Sequence, residues 1–159
     1  MKTATLSEIK KELDHLKPQE LLNLCIALAK YKKETKEYLG YLLFEAHNKR
    51  DFLNDLKKEI DEHFMNLIPQ LNLYYVKKSL RKLLRYLLKY TKYADDKALT
   101  AEVYVYFCLQ LKKSGIPYQN SQLLVNLMAQ QIKKINSIIN TLHPDLQNDF
   151  VKDLEVLIN

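Results

Sequence analysis

Between Leu73 and Tyr93 the chain carries Lys77, Lys78, Arg81, Lys82, Arg85, Lys89 and Lys92, with no Asp or Glu among them. Cations gathered in this way suit the binding of anions. At about 100° per residue, Lys78, Lys82, Arg85, Lys89 and Lys92 fall within an arc of roughly 80° on a helix. Val76, Leu80, Leu83, Leu84 and Leu87 take the opposite side. Tyr75, Tyr86 and Tyr93 border the basic stripe, with Tyr90 slightly further round. From Lys78 to Lys92 the ridge extends about 21 Å at the helical rise. That length can follow several phosphates of a nucleic-acid backbone, with tyrosine rings for stacking or phosphate hydrogen bonds. An acidic protein surface or lipid headgroups fit the ridge too, and so does a solvated face that only keeps the protein soluble. The candidate anion- or nucleic-acid-binding residues are Lys78, Lys82, Arg85, Lys89, Lys92, Tyr75 and Tyr86.

Other chemistries lack their residues. A zinc peptidase helix needs two His four apart around a Glu, whereas the chain reads Glu62-His63-Phe64-Met65. Glu59 and His63 are expected to form an exposed helical ion pair rather than a metal site. Phosphate-cradling loops need several glycines, and Gly40 and Gly115 stand alone. Gly40, inside a helix beside Tyr38 and Tyr41, suggests a close helix approach. No serine or cysteine sits in a recognisable nucleophile turn. No catalytic residue, metal site or cofactor is expected.

The ridge needs helices to hold it. Hydrophobic residues make up 47% of 159 and charged residues 28%, with two Gly and four Pro. So few turn-formers argue against sandwiches, barrels and doubly wound sheets. Thr5 with Glu8 makes a capping box for a first helix ending near Leu16. Pro18 opens a second, and a third covers about residues 36–46. Asn48 caps a fourth, with Phe52, Leu56, Ile60 and Phe64 on one face and Pro69 at its end. The basic helix is fifth. Asp95-Asp96 opens a sixth and Gly115 stops it. Its strand-like run Val103-Tyr104-Val105-Tyr106-Phe107 sits among helix formers, and apolar all round it reads as the central buried helix. Asn120 or Ser121 caps a seventh, ending near Leu142, and Pro144 opens an eighth.

The expectation is one all-α domain over residues 1–159, with about eight antiparallel helices joined by short connections. Laying Leu21, Leu24 and Leu28 over Leu80, Leu83 and Leu87 suggests a three-helix unit used twice, over residues 18–67 and 73–142. A short armadillo- or HEAT-like solenoid would follow from that repeat; an irregular helical bundle is the alternative.

The net charge is +6. Seven of 25 basic residues lie in the fifth helix, and the other 18 meet 19 acidic ones, so that helix supplies the entire excess. Cys25 and Cys108, each within an apolar stretch, read as buried thiols of a reduced cytoplasmic protein. There is no signal-like stretch at the N-terminus and no run of about 18 apolar residues, so neither secretion nor a membrane span is expected.

The segments from Leu6 to Leu13, Leu16 to Leu21 and Tyr38 to Ala46 resemble an uncharacterised family of small bacterial helical proteins, over about the first third of the chain. The resemblance implies a bacterial, cytosolic, all-helical domain and no activity. The first two helices also resemble the hairpin of SAP-type DNA-binding modules, but without the glycine usual in its turn. Together these observations point to a non-enzymatic helical interaction domain with a macromolecular partner, a protein in the first instance. The alternative is a nucleic-acid-binding protein using the basic face of residues 73–93. A hydrolase or glycosylase would need ionisable groups that converge only in the fold.

Overall fold

Local capping chemistry sets where the helices begin. In a computed structural model, which describes residues 3–67 and 72–158, the Thr5 N–H donates to Glu8 Oε2 at 2.7 Å while the Glu8 N–H donates to Thr5 Oγ at 3.3 Å. This reciprocal capping box starts α1 (Leu6–Asp14). Pro18 occupies the first turn of α2 (Pro18–Tyr31), where its missing N–H costs nothing. One extended residue, Lys32, separates α2 from α3 (Lys33–Phe44). The Asn48 Oδ1 accepts the Asp51 N–H at 3.2 Å and opens α4 (Lys49–Leu67). Beyond it come α5 (Leu73–Ala94), α6 (Lys97–Lys113), α7 (Gln122–Ile139), α8 (Pro144–Asp149) and α9 (Val151–Ile158). The described residues contain these helices, a short 3-10 turn at Tyr118–Asn120 and no strand, so the fold is all-α. No described helix is long and apolar enough to cross a membrane.

Several boundaries differ from expectation. The third helix starts and ends earlier than residues 36–46. The final helix divides at Phe150, whose N–H bonds the Gln147 carbonyl at 3.1 Å, a tighter i→i−3 closure that interrupts the α-helical ladder. Pro69, expected to end α4, lies outside the described residues.

Contacts divide the chain into two units, residues 1–47 and 48–159. In the first, α2 and α3 pack as a hairpin, yet Tyr41 is the one buried residue among those described. Cys25, expected to be buried, is exposed, on a helix that has no buried residue among those described. Gly40 meets no close neighbour either. A Cβ built there finds nothing within 4 Å, so this glycine marks no tight helix approach.

The second unit is organised around α6, which packs against α4, α5, α7 and α9. Leu99, Ala101, Val103, Tyr104, Val105, Phe107, Cys108 and Leu111 are all buried, over about two thirds of the helix circumference, while Glu102 and Tyr106 on the remaining side are partly exposed. The Phe107 ring meets Phe64 of α4 with centroids 5.8 Å apart. Burial pushes the Cys108 thiol up to about 12, leaving it an inert core group. Where α6 keeps polar atoms, α4 answers them: the Tyr106 hydroxyl donates to Asp61 at 2.8 Å, and Lys57 pairs with Glu102 at 2.5 Å. The Asp96 Oδ1 accepts the Leu99 N–H at 3.1 Å at the start of α6. Gly115 ends the helix at φ 72°, a left-handed conformation that any side chain would strain.

Phe107 is fully buried at the centre of this arrangement. Phe107→Ala is expected to destabilise the fold by about 3–5 kcal/mol, read as a lower midpoint in urea denaturation. Leu88→Ala, at a half-exposed position of α5, should cost far less.

Candidate functional site

The ridge stands where it does because of what lies beneath α5. Val76, Leu80, Leu83, Leu87 and Thr91 recur every three or four residues and are all buried. Thr91 satisfies its hydroxyl by donating to the Leu87 carbonyl at 2.8 Å. The Asn72 Oδ1 caps the first turn by accepting the Tyr74 N–H at 3.0 Å. At the other end Asp95 adopts a left-handed conformation, φ 47°, and its N–H closes on the Thr91 carbonyl. With one face locked into the core and both ends capped, the opposite face must point to water.

Lys78, Lys82, Arg85 and Lys92 are exposed, as their spacing requires. Arg81 joins them, 20° beyond Lys92 on the helical wheel by the same roughly 100° step. Among the described residues, none of these five has a carboxylate at ion-pair distance. Lys89 is different. It is half-buried, and its Nζ lies 4.8 Å from the Tyr90 ring centroid, so part of its charge is spent on that ring.

The tyrosines also separate into two groups. Tyr86, Tyr90 and Tyr93 form a ladder, with centroids 4.5 Å and 5.5 Å apart, and all three are half-buried. Tyr86 therefore packs against other rings instead of presenting an open face. Tyr75 is 55% exposed and Tyr74 69%, and the two meet edge to face at 5.6 Å. Tyr74 shares the helical angle of Lys92, so the wheel that located the lysines could have located it too. The open surface thus comprises four of the five ridge lysines and arginines expected, together with Arg81, Tyr74 and Tyr75.

At the C-terminal end of the ridge lies an open cavity of about 250 Å³, lined in part by Lys92, Lys97, Lys134, Asp95 and Asp96. Lys134 lies over Tyr104 with its Nζ 3.7 Å from the ring centroid, and burial pulls its pKa below the ordinary lysine value. The two carboxylates offset these cations, so the purely cationic surface stops at Lys92. Lys112 does not extend it either, because its Nζ donates to the Val156 carbonyl at 2.7 Å near the end of α9.

His63 has a different partner from the one expected. It is half-buried, with Nε2 2.9 Å from Ser79 Oγ on the flank of α5, and makes no ion pair with Glu59. Burial lowers its pKa and the Lys82 charge acts in the same direction, outweighing the upward pull of the Ser79 hydrogen bond and of Glu59. Among the described residues no three His, Cys, Asp or Glu side chains gather closely enough to hold a metal ion.

The chain matches no family model, no curated protein and no solved structure.

A histidine whose folded pKa is lowered refuses a proton that the unfolded chain accepts. The His63 contribution to stability is therefore complete above the ordinary value of 6.5 and is lost as pH falls below it. NMR titration of His63 should give a midpoint below 6.5, and Lys82→Gln should raise it by removing a like charge.

Proposed function

We propose that this chain is a non-enzymatic helical interaction domain whose partner is a polyanion: the exposed face of α5 contacts the phosphate backbone of a nucleic acid. One observation carries the reading. Lys78, Arg81, Lys82, Arg85 and Lys92 stand exposed along one rigid helix without a carboxylate among the described residues to neutralise them. Surfaces that serve solubility alone intersperse both signs, and elsewhere in this sequence 18 basic and 19 acidic residues do nearly balance. The open pair Tyr74 and Tyr75 favours nucleic acid over an acidic protein surface, since base faces stack on exposed rings while carboxylates do not.

In this reading the ridge binds chiefly through its phosphate contacts; α5 has no Asn or Gln to pair with adenine edges, and Arg81 and Arg85 are its only side chains with the paired fork that suits guanine. Such binding is governed by counterion release. Fluorescence anisotropy with short single-stranded and duplex DNA and RNA, over a range of salt, tests it. With about four duplex phosphates contacted, log affinity should fall against log salt with a slope near −3.6. Lys78→Glu, Lys82→Glu and Arg85→Glu together should abolish most of that slope while leaving the helical circular dichroism intact, all three sites being exposed. Absence of binding at low salt, or equal binding by the variant, would leave the ridge a solvated face.

A further inference from the structure

Three helices each bring one lysine to the cavity at the end of the ridge: Lys92 from the last turn of α5, Lys97 from the first position of α6 and Lys134 from α7. Lys134 is the unusual one. A lysine ordinarily carries its charged head out to water or to a carboxylate. Lys134 is instead half-buried across the Tyr104 ring and pairs with no carboxylate among the described residues. An anion held against it favours the ammonium form that burial disfavours. The two carboxylates of the cavity are not equivalent. Asp96 is spent within the fold, since its Oδ2 accepts from Lys49 Nζ at 2.8 Å and its Oδ1 from the Leu99 N–H at 3.1 Å. Asp95 is exposed beside the three lysines, which outnumber it by two charges. The hydroxyls of Thr91 and Thr100 already donate to the Leu87 and Asp96 carbonyls, so the side-chain donors left for a ligand are ammonium groups.

We infer that this cavity seats a terminal phosphate monoester of the strand that the ridge binds, an inference that rests on the phosphate-backbone reading of α5. Charge and size select that group. A terminal monoester carries about two negative charges at neutral pH and three free oxygens, whereas a phosphodiester within the strand carries a single charge. The cavity, about 250 Å³, is smaller than the roughly 300–1,000 Å³ of pockets that take a whole small molecule. It suits a phosphate, with the sugar at its mouth against Leu88 and Ile138. What lies beyond favours an end over a continuing strand. Asp96 also borders a second cavity, where Glu102, Asp149 and Asp153 join it against Lys49 and Arg50. A backbone continuing from Lys92 past Asp96 would bring its phosphates onto those carboxylates, and like charges so placed oppose binding. A strand that stops at Lys134 meets none of them.

Fluorescence anisotropy of the full chain tests this, with one single-stranded DNA sequence ending in a phosphate or a hydroxyl at its 5′ or its 3′ end and labelled at the opposite end. A phosphate at one of the two ends should tighten binding about tenfold, as charge-assisted contacts at a partly open site do. Lys134→Gln should remove most of that ratio between phosphate-ended and hydroxyl-ended strands. Lys97→Gln should reduce it too, and at an exposed position it spares the fold. Equal binding of phosphate-ended and hydroxyl-ended strands overturns the proposal and leaves the ridge reading standing. A ratio that survives both substitutions places the terminal phosphate elsewhere and overturns it as well. No binding of any strand at low salt overturns the ridge reading and this proposal with it. A last arm titrates adenosine 5′-monophosphate against the side-chain NMR signals of Lys134. A response there, with all strands bound equally, assigns the cavity to a free phosphate monoester and overturns the placement of a strand end.

Discussion

Everything in the second unit depends on the burial of α6 over most of its circumference. A helix with Val103, Phe107 and Leu111 fully enclosed, and Tyr104 and Cys108 equally so on other faces, cannot lie on a surface. It forces α4, α5, α7 and α9 to surround it. Each of those helices then has one choice of orientation, with its apolar stripe inward. For α5 that choice directs Leu80, Leu83 and Leu87 into the core and the lysines outward. The basic face is thus a product of core packing, and its rigidity comes from residues that carry no charge at all.

Comparison of α2 with α6 shows how far composition alone can be taken. Both are rich in apolar residues, and of the two only α6 reads as the central buried helix. Only α6 is enclosed. Periodicity reports that a face is apolar, and it is silent on whether the fold covers it. For this reason Cys25 reads as a buried thiol and is found exposed, while Cys108, in a similar apolar stretch, is buried.

What was legible followed local rules. The Thr5–Glu8 capping box, Pro18 and Pro144 at first turns, Asp96 before α6 and Gly115 after it were all readable, because each is settled within four residues of sequence. The arc of lysines was readable for the same reason. Features decided across helices were not. The partner of His63 is Ser79, on another helix, and Glu59 one turn back was the visible but wrong choice. Lys89 shared the angle of the ridge, yet its depth and its contact with Tyr90 depend on packing that no wheel displays. Leu21, Leu24 and Leu28 align in sequence with Leu80, Leu83 and Leu87, but only the second set is buried, so a shared spacing does not carry a shared environment.

The unneutralised face of α5 has a thermodynamic consequence of its own. Lys78 and Lys82, Arg81 and Arg85, and Arg85 and Lys89 are like charges one turn apart, and each such pair opposes the helix by about 0.2–0.5 kcal/mol. Mobile counterions relieve that repulsion. Under the proposed polyanion reading, electrolyte pulls two equilibria in opposite directions, strengthening the fold of the unliganded protein while competing for its contact surface. A polyanion bound as proposed would supply the relief that dissolved ions otherwise provide, and would tie the cohesion of α5 to its occupancy.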